Sequence, residues 1–294
     1  MRKFIVGTDW WTDCDDAVAM RILARAHKKG EIKIKGIGIN ACMEYSVTSL
    51  DGFLTTEGVY DIPLGIDLKA TDFGGNPPYQ KRLSAYSQKY KSNEDADNAV
   101  RLYRKILSNT VEKIEIIEIG YLQVIANVLK STADDISHKS GLELIRENVS
   151  KIWVMAGKWD EDKGRENNFA RNSRSAEAGH IFCDLCPVPI TFLGWEVGHR
   201  VITGGELDKN DVLYRVLLDH KKPDGRSSWD PMLVTMAIIG EEEKAGYKTV
   251  VGKAYVDPDS GYNSFTETSD GNHRYVIKTK ADDYYKNQIN SLIK

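Results

Sequence analysis

Four aspartates, Asp9, Asp13, Asp15 and Asp16, fall within eight residues near the start of the chain. Carboxylates this dense repel one another unless something positive sits among them. An all-oxygen donor set suits a hard cation, Ca²⁺ or Mg²⁺. Helix capping is the competing reading, with Asp15 as N-cap and Asp16 in the first turn. It accounts for one or two of the four. Further along stand other polar residues able to meet a ligand: Asn40, Glu166, Asn168 and, opening a late helix, Asp230-Pro231. Taken singly each has an ordinary explanation. Asp230 before proline is a common helix start, Asn40 and Asn168 are turn residues, and Glu166 has Arg165, Arg171 and Arg174 nearby for a surface ion pair. His199, after Gly198, reads as a satisfied histidine.

The elements that must position these residues follow from the apolar pattern. Phe4-Ile-Val6 predicts a buried strand, and Ala17 to His27 a helix. Strands are further expected at 32–40, 64–67, 114–119, 151–156 and 190–193. Helices are expected at 46–60, 99–108, 122–130, 175–183, 212–220 and 230–239, with a loop and short helix over 70–98. This alternation argues for an α/β fold, a mostly parallel open sheet covered by helices. Tyr255 to Val276 alternates and carries the turn signals Asp257-Pro-Asp-Ser-Gly261 and Asp270-Gly-Asn272, so it predicts a C-terminal antiparallel hairpin before a closing helix. No repeat or linker interrupts residues 1–294, which read as one domain.

Parallel sheets bind ligands beyond the carboxyl ends of their strands. Asp9, Asn40, Gln123, Glu166 and Asn168 all follow predicted strand ends. So do five of the six tryptophans, Trp10, Trp11, Trp159, Trp195 and Trp229, while Trp153 lies inside a strand. Such a rim predicts a stacking platform for a sugar or planar base.

Net charge is −3 in 294 residues, which gives no basis for binding a nucleic acid polymer. Four cysteines read as reduced intracellular thiols. Cys183-Asp-Leu-Cys186 has redox or zinc spacing but no partner pair, and reads as the buried approach to a strand. The N-terminal apolar run is too short for a signal peptide, and no stretch is long enough to span a membrane. A cytoplasmic location is expected.

Gly7-Thr-Asp9 leading to Asp15-Asp16-Ala17 resembles the opening aspartate cluster of the inosine-uridine-preferring nucleoside hydrolases. Gly38-Ile-Asn40 is similar to that family's Gly-Asn element, and Gly120-Tyr-Leu-Gln123 to its Gly-Pro-Leu-Thr segment. Glu166 to Phe182 resembles its Glu-x-Asn-plus-helix block, and Trp229-Asp-Pro-Met232 its late His-Asp-Pro segment. The blocks keep their order from residue 4 to about 240. The resemblance implies calcium held by Asp9, Asp15, Asp16, Asp230 and the Gln123 carbonyl, with Asp9 as the base that activates water. It further implies Asn40, Glu166 and Asn168 on the ribose, a stack of Trp10, Trp11 or Trp229 on the leaving group, and a homodimer or homotetramer. The activity implied is hydrolysis of the N-glycosidic bond of a riboside.

The departures are specific. The Asp9-to-Asp15 spacing is two residues longer than the family's usual one, which leaves Asp13 as an alternative to Asp9 at the metal. Trp229 stands where the best-known branch has a histidine that protonates the departing base. Asp72-Phe-Gly-Gly-Asn76 replaces a glycine-histidine loop. A sugar-binding or other glycoside-processing protein on the same scaffold is therefore the alternative. A phosphotransferase of the haloacid-dehalogenase type is disfavoured because Trp11, not aspartate, stands two places after Asp9. An EF-hand lacks its glycine and glutamate positions.

Overall fold

Phe4 and Val6 enter one buried apolar layer and Ile5 the other, so strand β1 (Arg2–Thr8) is covered on both faces. A continuous apolar run is what a central parallel strand requires. The computed structural model describes residues 1–10, 13–70 and 78–294. Its strands are β1, β2 (Ile32–Ile39), β3 (Leu64–Ile66), β4 (Asp97–Asn98), β5 (Ile114–Glu118), β6 (Val149–Met155), β7 (Ile190–Leu193), β8 (Ile202–Thr203), β9 (Arg226–Ser227), β10 (Tyr247–Val256), β11 (Asn263–Glu267) and β12 (His273–Lys278). Ten of them form one sheet in the order β11-β10-β12-β7-β6-β5-β1-β2-β3-β4, and β8 and β9 form a small antiparallel pair.

From β4 to β7 the sheet is parallel. The chain runs outward from β1 through β4, then returns to β5 on the other side of β1. The switch point, and with it the crevice, lies beyond the carboxyl ends of β1 and β5. Helices α1 (Asp15–Lys28), α2 (Ser46–Thr56), α3 (Pro78–Ser84), α4 (Ala99–Ser108), α5 (Gln123–Lys130), α6 (Gly141–Asn148), α7 (Asn167–Ala170), α8 (Ser173–Leu185), α9 (Trp195–Gly198), α10 (Val212–Asp219), α11 (Trp229–Ile239) and α12 (Asp282–Ile293) cover the sheet. Side chains of α1, α2, α10, α11 and α12 share the core with Phe4 and Val6, and those of α4, α5, α6 and α8 the core with Ile5. Among the described residues no helix is long and apolar enough to cross a membrane.

The C-terminal part contains the expected antiparallel hairpin and adds a third strand to it. β10 pairs antiparallel with both β11 and β12, and β12 inserts between β10 and β7, parallel to β7. The last strand thus joins the annex to the main sheet. Cys183 lies within α8 and Cys186 caps it, just before the chain enters β7; both are buried free thiols.

Two devices fix the crevice. Arg2, at the start of β1, donates to the carbonyls of Ala237 and Ile238 at 2.6 and 3.0 Å, capping the end of α11. The far end of α11 carries Asp230, so β1 and α11 are tied at the end away from the crevice. At the crevice, Asn40 donates its N–H to Thr8 O (2.9 Å), and its Oδ1 accepts from Tyr121 N (3.0 Å). A Cβ on Gly120 would lie 2.3 Å from Asp9 N, so only glycine fits there.

Beneath the crevice, Glu118 is fully buried opposite Gly7, where a Cβ would lie 1.8 Å from its Oε2. Tyr103 Oη donates to Oε1 at 3.1 Å, while Oε2 has no partner. Burial pushes this carboxyl up to about 8 against 4.5, although the Tyr103 bond opposes it. The folded state therefore holds a proton that the unfolded chain releases. Glu118's contribution to stability is fully present below pH 4.5, falls as the pH rises, and is gone above about 8. Glu118→Gln should remove a pH-dependent loss on the order of a few kcal/mol between those limits. Denaturant melts of both proteins at pH 5 and pH 8.5 check this; equal pH dependence in both would contradict it.

Candidate active site

The chain leaving β1 delivers Asp9, and the next helix delivers Asp15 and Asp16 in its first turn, all three buried. Asp230, in the first turn of α11, arrives from 215 positions away and donates its backbone N–H to Asp15 Oδ2 at 3.2 Å. Oxygens of Asp15, Asp16 and Asp230 lie within 4.8 Å of one another. Thr8 Oγ1 and Trp10 N both donate to Asp16 Oδ1. Burial first, then the charges of neighbouring aspartates, raises Asp15, Asp16 and Asp230 well above the carboxylate range. Asp9 is among the repelling charges on all three.

This donor set fits a divalent cation. It is all oxygen and dry, and every member's charged form is disfavoured by the others, so an ion among them relieves desolvation and repulsion together. Nearby, Asn40 Nδ2 and both amide atoms of Gln123 are buried without a hydrogen-bond partner.

Asp13 belongs elsewhere. Its carboxylate receives Nε and Nη2 of Arg226, with Nε at 2.8 and 2.9 Å from the two oxygens. Burial pulls Asp13 up, but the Arg226 bonds and charge outweigh it and hold it below the usual range. The inserted aspartate is thus neutralised by an arginine and stands outside the acidic trio.

The acids floor a cavity of about 540 Å³ at the switch point. It is further lined by Glu166, Asn167, Asn168 and Arg171, which follow β6, and by His220, Arg226 and Trp229, which follow α10 and open α11. Glu166 caps α7, accepting from Asn168 N at 2.9 Å and from Gly157 N at 3.0 Å. Burial lifts its carboxyl to about 7, against the pull of those N–H groups. Asn168 Nδ2 donates to Met155 O at 2.8 Å. Burial lowers His220, whose Nε2 is 3.7 Å from Asp13.

The expected aromatic rim is reduced. Trp10 is fully buried: its backbone takes φ 46°, its indole packs on Phe53 and Tyr79, and Nε1 donates to Ser49 Oγ at 2.8 Å. It is a core residue and not a substrate platform. Trp159 likewise packs against Phe169, Phe192 and Phe265. Trp11 and the 72–76 segment lie outside the described residues. Trp195 and Trp229 do line the cavity, their rings 6.4 Å apart. Asn40 and Gln123 are buried and do not line it. Asn40 therefore braces the strand ends instead of reaching a sugar directly. Sequence reasoning missed Asn167, Arg171, His220 and Arg226 as lining residues. Arg226 follows a Pro223-Asp-Gly225 turn and looks like surface polarity until Asp13, 213 positions away, is placed beside it.

No family model and no curated protein matches the sequence. Solved structures do match in fold over the whole chain. An inosine-uridine preferring nucleoside hydrolase from Bacillus anthracis aligns with TM-score 0.68 and 16% identity, over 100% of this chain and 99% of its own. A purine-preferring ribonucleoside hydrolase from Gardnerella vaginalis gives 0.66 and 14%, over 100% and 99%. The type III effector protein XopQ, complexed with adenosine diphosphate ribose, gives 0.70 and 13%, over 100% and 93%. At these identities the likeness is one of fold.

Occupation of the acidic floor should be visible without any substrate. A divalent cation added to chelator-treated protein at about 100 times its dissociation constant should stabilise the fold by ~2.7 kcal/mol. That corresponds to a melting-temperature rise on the order of 5 °C. Asp230→Asn should lose most of the rise, and the same rise in the variant would remove Asp230 from the ion's donors.

Proposed function

We propose that the protein hydrolyses the N-glycosidic bond of a ribonucleoside or related riboside in a calcium-dependent reaction, giving ribose and free base. The observation that carries this reading is the convergence of Asp15, Asp16 and Asp230 on the floor of the switch-point cavity, with Asp9 beside them. Asp9, Asp15, Asp16 and Asp230 would hold the cation. Calcium is favoured over transition metals because every donor is oxygen. When bound, the cation supplies polarisation of a water and anchorage for sugar hydroxyls.

The protein's own residues do the rest. Asp9 accepts the proton of the attacking water, since it leaves β1 at the cavity floor. Glu166 and Asn168, fixed by their backbone contacts, bind ribose hydroxyls. A negative Glu166 is worth more as positive charge grows at the anomeric carbon. The ring of Trp229 faces the leaving group, its N–H being committed to Trp195 O at 2.7 Å. Ile119 and Met155 add apolar surface to the lining.

A second reading has one observation behind it. The cavity pairs Trp195 with Trp229, and one structural neighbour is an effector in complex with ADP-ribose, so a riboside-binding protein without hydrolysis fits the same walls.

Purine, pyrimidine and nicotinamide ribosides assayed for free ribose separate the two. Release from at least one, abolished by chelation and by Asp15→Ala, is expected; binding without release from any would establish the second reading. Glu166 adds a pH signature. With its carboxyl near 7, it ionises as the pH rises through neutrality, and the ionised form is the better acceptor of hydroxyl protons. The wild-type kcat/KM should therefore rise across pH 6 to 8. Glu166→Gln should be slower and flat over that range; an unchanged rise would assign the inflection elsewhere.

A further inference from the structure

Resting on the riboside-hydrolase reading, we propose that Arg226 stabilises the departing base electrostatically, as a fixed positive charge, so that the site selects ribosides whose base leaves carrying negative charge. Scission of an N-glycosidic bond pushes the bonding electron pair onto the base nitrogen. Something must meet that charge. The residue before Asp230 is Trp229, whose indole cannot donate a proton to a leaving nitrogen under ordinary conditions.

Arg226 stands in the right place. It lines the cavity next to Trp229, and its guanidinium lies 5.0 Å from the centre of the Trp229 ring. Asp13 takes Nε and Nη2, which fixes the plane of the guanidinium. Nη1 makes no hydrogen bond among the described residues, so its donors remain for a ligand. The Trp229 indole N–H is held by Trp195 O at 2.7 Å, which fixes the ring beside Arg226. His220 is the neighbouring candidate for a proton donor, but burial lowers its pKa and it faces Asp13.

A guanidinium never gives up its proton at working pH, and the bonds from Asp13 raise it further. Its role is thus charge stabilisation in a partly dry site, not acid catalysis. The balance is simple. The C1′–N bond breaks with its electrons going to the base, and water oxygen bonds to C1′ as Asp9 takes its proton. The base leaves as an anion beside Arg226 and is protonated by solvent after release. A pyridinium riboside behaves differently, because its base departs neutral and its ground state is repelled by the same charge.

The experiment compares kcat for inosine and for nicotinamide riboside in wild type, Arg226→Met and Arg226→Lys. Removing one such donor costs on the order of 100-fold where it meets developing charge. Arg226→Met should slow inosine by about that factor and nicotinamide riboside at least tenfold less, with Arg226→Lys restoring part of the inosine rate. An equal fall on both substrates would overturn the electrostatic role. Should Arg226→Met lose its thermal transition because Asp13 is left unpaired, the Asp13→Asn/Arg226→Met double variant gives the same ratio without an orphan charge. Wild type that cleaves neither substrate while cleaving another riboside has its leaving-group preference read from an inosine-like and a pyridinium analogue of that riboside. Wild type that releases ribose from nothing rejects the hydrolase reading itself, and this inference with it.

Discussion

Three buried carboxylates held within 4.8 Å of one another on a cavity floor are the constraint on which the rest turns. At an effective dielectric of about 20, each ionised pair at that separation costs on the order of 3 kcal/mol. Burial adds to the cost. The arrangement persists because it is held from outside. Arg2 anchors the far end of α11, Asp230 N bonds to Asp15, and Thr8 and Trp10 N fix Asp16. A fold that spends stability to keep acids together at a switch point has a use for the field they make.

Around that field the lining is mixed. Glu166 and the asparagines offer hydrogen bonds suited to a polyhydroxylated ring, and are held by backbone N–H and C=O groups. Arg226, His220 and Trp229 offer charge and an aromatic surface. A molecule with a sugar at one end and a planar group at the other has complementary surfaces along its whole length. The pairing of Asp13 with Arg226 keeps the inserted acid from competing for the floor and sets the charge beside Trp229.

Much of this was legible in the sequence because it depends on local pattern. The apolar run of β1, the aspartate quartet and Asp230-Pro231 each announce a strand end or a helix start, and the alternation of periods gives the parallel sheet. What was not legible depends on contacts between distant segments. Trp10 follows a strand end like any rim residue, yet its backbone turns and Phe53 and Tyr79 receive the indole in the core. Asn40 looked like a ligand contact and is a brace between strand ends. The Asp13–Arg226 pair joins positions with no sequence signal in common. The insertion of β12 beside β7 is a choice of partner that alternation of side chains does not encode.

The proposed chemistry requires one ion among the buried oxygens of Asp9, Asp15, Asp16 and Asp230, and counting that ion is the most direct test. Equilibrium dialysis of the purified chain against labelled calcium should give one bound ion per chain, lost when Asp15 and Asp16 are both changed to asparagine. No bound calcium in the wild-type protein, with riboside cleavage continuing in excess chelator, would contradict the account.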